Sequence, residues 1–208
     1  MPPSFTCKDC GASFTLPQAA LDKYPGWTPK QCHNCRAGMT PAAPSPADAL
    51  LKFDGGPTDG VFTDGGCDPN PGPGGWAAVK VRAGKLVEER AGHEPQTTNN
   101  RMELRGLIEA FEMLAPDEAS TIYSDSSYAV KTATEWAPAW ERNGWRRGKQ
   151  KDRVENLELV QQLLAATRAH PRVKLEWLRG HAGSRWNEYA DALVRQHQHP
   201  ERMRASET

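Results

Sequence analysis

Four acidic residues and a histidine carry the chemistry that this chain could do: Asp64, Glu103, Asp125 and Asp191, with His181 ten positions before the last. Asp64 closes one apolar run, VFTD at 61–64, and Asp125 closes another, STIYSD at 120–125. Taken singly, each has an ordinary structural reading. Asp64 starts a turn, Asp125 caps the helix beginning SSYAV, and Asn100 to Glu103 fits an N-x-x-E capping box. As a set they mean something else. Clustered carboxylates repel one another unless cations neutralise them, and hard oxygen ligands suit Mg²⁺ or Mn²⁺, which can be held in pairs about 4 Å apart for displacement at phosphorus. Acids gathered around two such ions form an arrangement for cutting phosphodiesters.

A second group of residues suits a softer metal. Cys7 and Cys10 form one C-x₂-C pair and Cys32 and Cys35 another, with 21 residues between them. This is close to the spacing of tetrahedral structural zinc, and four thiolates leave no open position for catalysis. His33, inside the second pair, is then a bystander. So short a segment with little apolar content cannot fold on hydrophobic burial alone, so zinc binding should supply most of its folding free energy. The pattern resembles small zinc-ribbon-type modules. The fifth cysteine, Cys67, has no histidine base near it in sequence, which favours a substrate-contact or buried role over a nucleophilic one.

The elements that must position the acids follow from periodicity. The run at 61–64 reads as a strand, GGCDPNPGPGG at 65–75 as a turn and WAAVKVR at 76–82 as a second strand. Lys85 to Gly92 gives a third, completing an antiparallel meander. Asn99 to Ala115 carries a helical stripe of Met102, Leu104, Leu107, Ile108, Phe111 and Leu114. Beyond it, 120–125 is a strand, SSYAVKTATEW a helix, RVENLELVQQLLAATRA a longer helix, VKLEWL a strand and WNEYADALVRQH a last helix. The two later strands, each reached through a helical crossover, should run parallel to the first. The fold class is therefore α/β, a mixed five-stranded sheet with flanking helices, and Asp64 and Asp125 should emerge at the same sheet edge.

At 208 residues the chain has room for one ordinary core and a small appendage. We divide it into a zinc-binding module at 1–37, a Pro/Ala/Gly-rich linker at 38–57, a catalytic domain at 58–198 and a tail at 199–208. The formal net charge is zero, so any nucleic-acid footprint must be local. No stretch approaches the roughly 18 apolar residues of a membrane span, and MPPSFTCKDC has no signal-peptide pattern, so the expectation is a cytoplasmic monomer.

Four segments, TDGGCDPNPGPGGWA, TTNNRMEL, YSDSSYAV and WLRGHAGSRWNEYADALV, resemble the signature blocks of type 1 ribonuclease H over residues 58 to 198. The resemblance implies a ribonuclease H-like sheet and an endonuclease that cuts the RNA strand of RNA/DNA hybrids, leaving 5′-phosphate and 3′-hydroxyl ends. It makes Asp64, Glu103, Asp125 and Asp191 the metal-binding and catalytic acids, and His181 a mobile group that assists water activation or product release. It places Cys67, Asn70, Asn99 and Asn100 against RNA 2′-hydroxyls, and Thr98 and Asn156 against a phosphate of the DNA strand. Many relatives carry glutamine where this chain has Ser127, so one contact to the RNA strand is shortened or lost. WAPAWERNGWRRGKQKDR at 136–153 interleaves Trp136, Trp140 and Trp145 with Arg142, Arg146, Arg147, Lys149, Lys151 and Arg153. It is similar to the family's basic protrusion and suits a duplex-gripping surface.

The alternative is a nuclease-like fold that binds hybrids with little cleavage. A non-catalytic binder has no need of dense negative charge facing phosphate, so the full set of acids favours the enzyme. The same fold used for DNA cleavage or integration is disfavoured by TTNNRMEL and the basic protrusion.

Overall fold

The structure, a computed structural model, describes residues 3–6, 13–23, 28–36, 45–148 and 152–198. It divides into two units, Met1–Ala43 and Pro44–Thr208. In the first, strands β1 (Ser4–Thr6) and β2 (Ser13–Thr15) pair antiparallel with Phe5 opposite Phe14. Helices α1 (Gln18–Asp22) and α2 (His33–Arg36) follow, and Cys32 is buried just ahead of α2. Cys7 and Cys10 lie outside the described residues, as does the side chain of Cys35.

The second unit begins earlier than the linker boundary at 57 predicts. Helix α3 (Pro46–Lys52) is nucleated by a capping box, in which Ser45 Oγ accepts from the Asp48 amide at 3.2 Å and Asp48 Oδ2 accepts from the Ser45 amide at 2.9 Å. Seven residues are too few to stand as a helix alone. Ala49, with Leu50 and Phe53 partly buried beside it, joins the hydrophobic cluster under the last helix, and Arg185 donates to the Leu50 carbonyl at 2.9 Å. Tertiary burial rather than an apolar period makes this segment helical.

Strands β3 (Gly60–Cys67), β4 (Gly72–Arg82) and β5 (Lys85–Thr97) form the meander. After helix α4 (Asn99–Glu112) comes β6 (Ser120–Ser124). Helix α5 (Ser127–Lys131), a π-helical turn at Thr132–Trp136 and α6 (Ala137–Arg142) lead to the short strands β7 (Arg146–Arg147) and β8 (Asp152–Arg153). Helix α7 (Leu157–Ala169), β9 (Val173–Trp177) and α8 (Arg185–Gln198) complete the unit. The large sheet has the order β5-β4-β3-β6-β9, with β3 parallel to β6 and β6 parallel to β9, as expected.

Alternation along the strands feeds two cores. Val61, Ala78 and Ile122 face the helices α4 and α7, whereas Phe62, Ala77 and Val79 face α8. The helix expected over 126–136 is not uniform. Pro138 has no N–H to give and its ring crowds the carbonyl four residues back, and the preceding turn widens so that the Ala137 amide reaches Thr132 O. Helix α7 starts at Leu157 rather than Arg153, because Asp152 and Arg153 pair with β7 and Asn156 takes a left-handed backbone, φ +53°.

The glycine-rich stretch at 65–75 is mostly strand, not turn. Gly65, Gly66 and Cys67 pair with Trp76, Gly75 and Gly74, so only Asp68–Pro71 is left to make the turn. The glycines serve helix packing. A Cβ on Gly65 would stand 2.3 Å from the Glu103 amide nitrogen, one on Gly106 3.0 Å from the Asp64 carbonyl, and one on Gly75 2.8 Å from the Val194 carbonyl. Both α4 and α8 therefore rest directly on sheet backbone. We expect Gly65→Ala to force α4 away from β3 at a cost of about 1–3 kcal/mol, the range for overpacking. Urea denaturation checks this, and an unchanged unfolding midpoint would contradict it.

Candidate active site

Two parallel strands bring the first pair of acids together. Thr63 is registered with Ser124, so the next residues along, Asp64 and Asp125, reach the same sheet edge. Asp64 Oδ1 accepts from the Gly65 amide at 2.8 Å within the strand. Asp125 does not cap α5. That task falls to Ser126, whose Oγ accepts from the Ala129 amide at 3.1 Å. Nor is Glu103 part of a capping box, because α4 is capped by Thr98. Glu103 instead accepts from Ser126 Oγ at 2.6 Å, which ties α4 to the end of β6. Each acid is thus free of the ordinary structural duty it could have had.

Helix α8 and the loop before it supply the remaining groups. Asp191 pairs with Arg195 at 2.8 Å, one turn on. His181 is 67% exposed with a left-handed backbone, φ +51°, and its Nδ1 stands 3.6 Å from Glu188 Oε2. His181, Glu188 and Asp191 each offer a ligand atom within 4.8 Å of the others.

The electrostatics follow from this crowding. Desolvation, then the charges of Asp125 and Asp191, push the Asp64 carboxyl well above its ordinary pKa, with Glu103 adding to the rise and the Gly65 amide opposing it. Burial likewise raises Glu103, against the Ser126 hydrogen bond, and raises Asp191, against the positive charges of Arg195 and His181. Groups that resist ionisation this way share one remedy, a hard cation, and carboxylate oxygens are the donors that Mg²⁺ or Mn²⁺ takes. The residues present fit such an ion.

Residues 58–199 match the family model for RNase H. The chain belongs to the RNase H family. It is 46% identical over 139 residues to a ribonuclease H of Bradyrhizobium sp. (strain ORS 278), covering 67% of this chain and 88% of that one. It is 48% identical over 136 residues to a ribonuclease H of Bordetella pertussis, covering 65% and 86%. Among solved structures, LC9-RNase H1, described as a type 1 RNase H with the type 2 active-site motif, superposes with a TM-score of 0.53 at 35% identity over 68% of this chain and 72% of that one. LC11-RNase H1 in complex with RNA/DNA hybrid shares the fold, with a TM-score of 0.51 at 21% identity over 68% of this chain and 96% of that one. Residues 1–57 lie outside the family match.

Around this RNase H centre, the residues assigned to substrate fall into two groups. Asn70 Oδ1 accepts from the Asn99 amide at 3.3 Å, so the β3–β4 turn and the start of α4 meet, with Asn100 exposed beside them. Cys67 is close by in the chain, but its thiol is buried 3.2–3.3 Å from the carbonyls of Pro69, Gly72 and Thr97. Burial pushes that thiol's pKa up. It fastens the turn to the end of β5 and does not face outward. Asn156 stands at the start of α7 without capping it, and accepts from Arg101 at 3.5 Å. In the basic segment, Trp136 and Trp140 have ring centroids 5.8 Å apart, and Trp140 and Trp145 pack on the core. Arg146 is exposed, Arg147 pairs with Glu155, and Lys149 and Lys151 lie outside the described residues.

Two hydrogen bonds to Asp125 and one close backbone approach were missed by sequence reasoning. Trp177 Nε1 donates to the Asp125 carbonyl at 2.9 Å, Asn187 Nδ2 donates to Asp125 Oδ2 at 3.1 Å, and a Cβ on Gly180 would lie 2.8 Å from the same oxygen. Glu188 was missed as well, although its spacing of three from Asp191 already places both on one face of α8.

The raised carboxyls fix the sign of a pH effect. Without a cation the folded chain binds more protons than the unfolded one above the ordinary carboxylate range, so this cluster contributes less stability as pH rises toward neutral. Glu141 and Glu158, held low by Arg168 and Arg101, act in the opposite direction. The cluster is therefore isolated by comparison with Asp64→Asn. In chelator at pH 7 this variant should melt several degrees above the unsubstituted chain, with the gap narrowing at about pH 4 and on adding Mg²⁺. Equal melting across those conditions would contradict the assignment.

Proposed function

We propose that the chain is an endoribonuclease that hydrolyses the RNA strand of RNA/DNA hybrids with two divalent cations, Mg²⁺ or Mn²⁺, held by Asp64, Glu103, Asp125 and Asp191. One observation carries the reading: Asp64 and Asp125 leave adjacent parallel strands at one edge, within electrostatic reach of Glu103 and Asp191. When bound, such ions make a water nucleophilic at neutral pH and stabilise the leaving 3′ oxygen of an in-line displacement, which leaves a 5′-phosphate.

The chain's own residues do the rest. Glu103 is held by Ser126 and Asp125 by Asn187 and Trp177, so the acids are oriented before substrate arrives. His181, exposed beside Glu188 at the rim, is placed to take or give a proton on the solvent side of the site. Asn70, Asn99 and Asn100 offer amide groups suited to 2′-hydroxyls, the group that separates RNA from DNA. Trp136 and the arginines at 142, 146 and 147 support a duplex-backbone contact.

The deciding assay compares cleavage of RNA/DNA hybrid, double-stranded RNA and double-stranded DNA in Mg²⁺. The hybrid should be cut preferentially, and Asp125→Asn should lose more than about a hundredfold in kcat, at least what removing a ligand's supporting partner costs. Equal cutting of all three duplexes, or full activity in the variant, would exclude the reading.

For the N-terminal unit the proposal is one structural zinc held by Cys7, Cys10, Cys32 and Cys35. It is supported by the C-x₂-C spacings and by the buried Cys32 just ahead of α2. Elemental analysis should find one zinc per chain and a loss of it in Cys32→Ser. A metal-free chain with the same melting profile would refute it.

A further inference from the structure

Asn187 stands one turn before Asp191 on α8 and is 1% exposed. Its Nδ2 donates to Asp125 Oδ2 at 3.1 Å, yet its Oδ1 has no hydrogen-bond partner among the described residues. Turning the amide over would set that oxygen against a carboxylate oxygen, so the donor must face Asp125. A buried amide with half its hydrogen-bonding capacity unused is costly to keep. The unused half must await a donor.

With a cation bound the nearby acids are ionised and cannot supply one, since an ionised carboxylate only accepts. A donor that suits the rim of such a cluster is water, and Mg²⁺ keeps several waters when it binds through carboxylates. We infer that Asn187 is a positioning residue for the cation site. Its Nδ2 fixes one oxygen of Asp125 and leaves the other for the ion, while its Oδ1 accepts a hydrogen bond from a water of the ion's hydration shell. The inference rests on the reading of the acids as a divalent-cation site, and it adds a neutral residue to a set that sequence assigned to acids alone.

The test reads cation binding without turnover, as the rise of melting temperature with Mg²⁺ in the full chain without substrate. Asn187→Ala should raise the Mg²⁺ concentration for half the effect by about tenfold, the lower end of what removing a ligand's hydrogen-bond partner costs in metal affinity. Binding of an RNA/DNA hybrid in chelator should stay within about twofold of the unsubstituted chain, because the amide acts on the ion rather than on the duplex. If Asn187→Ala does not fold, Asn187→Ser, which keeps a short polar group, carries the same comparison. A half-effect concentration unchanged in the folded variant would overturn the inference, even if the variant melts lower in chelator. An unsubstituted chain with no Mg²⁺ response would remove the cation reading, and this inference with it.

Discussion

Two helices resting on bare strand backbone are the constraint from which the site follows. Gly65 and Gly106 let α4 settle against β3, and Gly75 lets the end of α8 settle against β4. A methyl group at any of these positions would meet backbone atoms, which cannot rotate away as a side chain can. Glu103 rides on α4 and Asp191 on α8. The closeness of these acids to Asp64 is therefore a by-product of helix–sheet packing, and the same missing side chains serve both stability and chemistry.

That packing drives like charges together, against electrostatics. Desolvation and mutual repulsion raise the carboxyl groups of Asp64, Glu103 and Asp191, and the chain offsets little of this internally: one backbone amide, the Ser126 hydroxyl and, at Asp191, Arg195 and His181. A site optimised for stability alone would have paired every acid. Here the fold keeps its acids short of positive charge, as expected where a cation completes the arrangement.

Asp125 is the best-supported group of the set. Its carbonyl is held by Trp177, a carboxylate oxygen by Asn187, and that same oxygen is approached by the loop at Gly180. The hydrogen bonds come from β9 and α8, and the close approach from the loop between them. A carboxylate fixed from one side keeps its remaining oxygen pre-oriented, which saves the rearrangement that a free side chain would need on binding an ion.

The antiparallel meander, the parallel direction of β6 and β9 relative to β3 and the candidate acids were legible from sequence, because period-2 runs ending in Asp and a clean helical stripe are local patterns with one good solution. Family blocks strengthened that reading for residues 58 to 198. Three things were not legible. The glycine run read as a turn because local rules cannot know that helices will lie on it. Residues 46–52 read as linker because a short helix has no apolar period of its own and exists by burying Ala49 under α8. Asn187, Trp177 and Glu188 passed unnoticed because their function lies in what they touch, and Asn187 meets Asp125 across 62 residues of chain. Side-chain type, which decides what can bind a hard cation, made the candidate groups readable from the residues alone. How those groups are aimed came from the folded arrangement, since orientation depends on hydrogen bonds between residues that no local pattern connects.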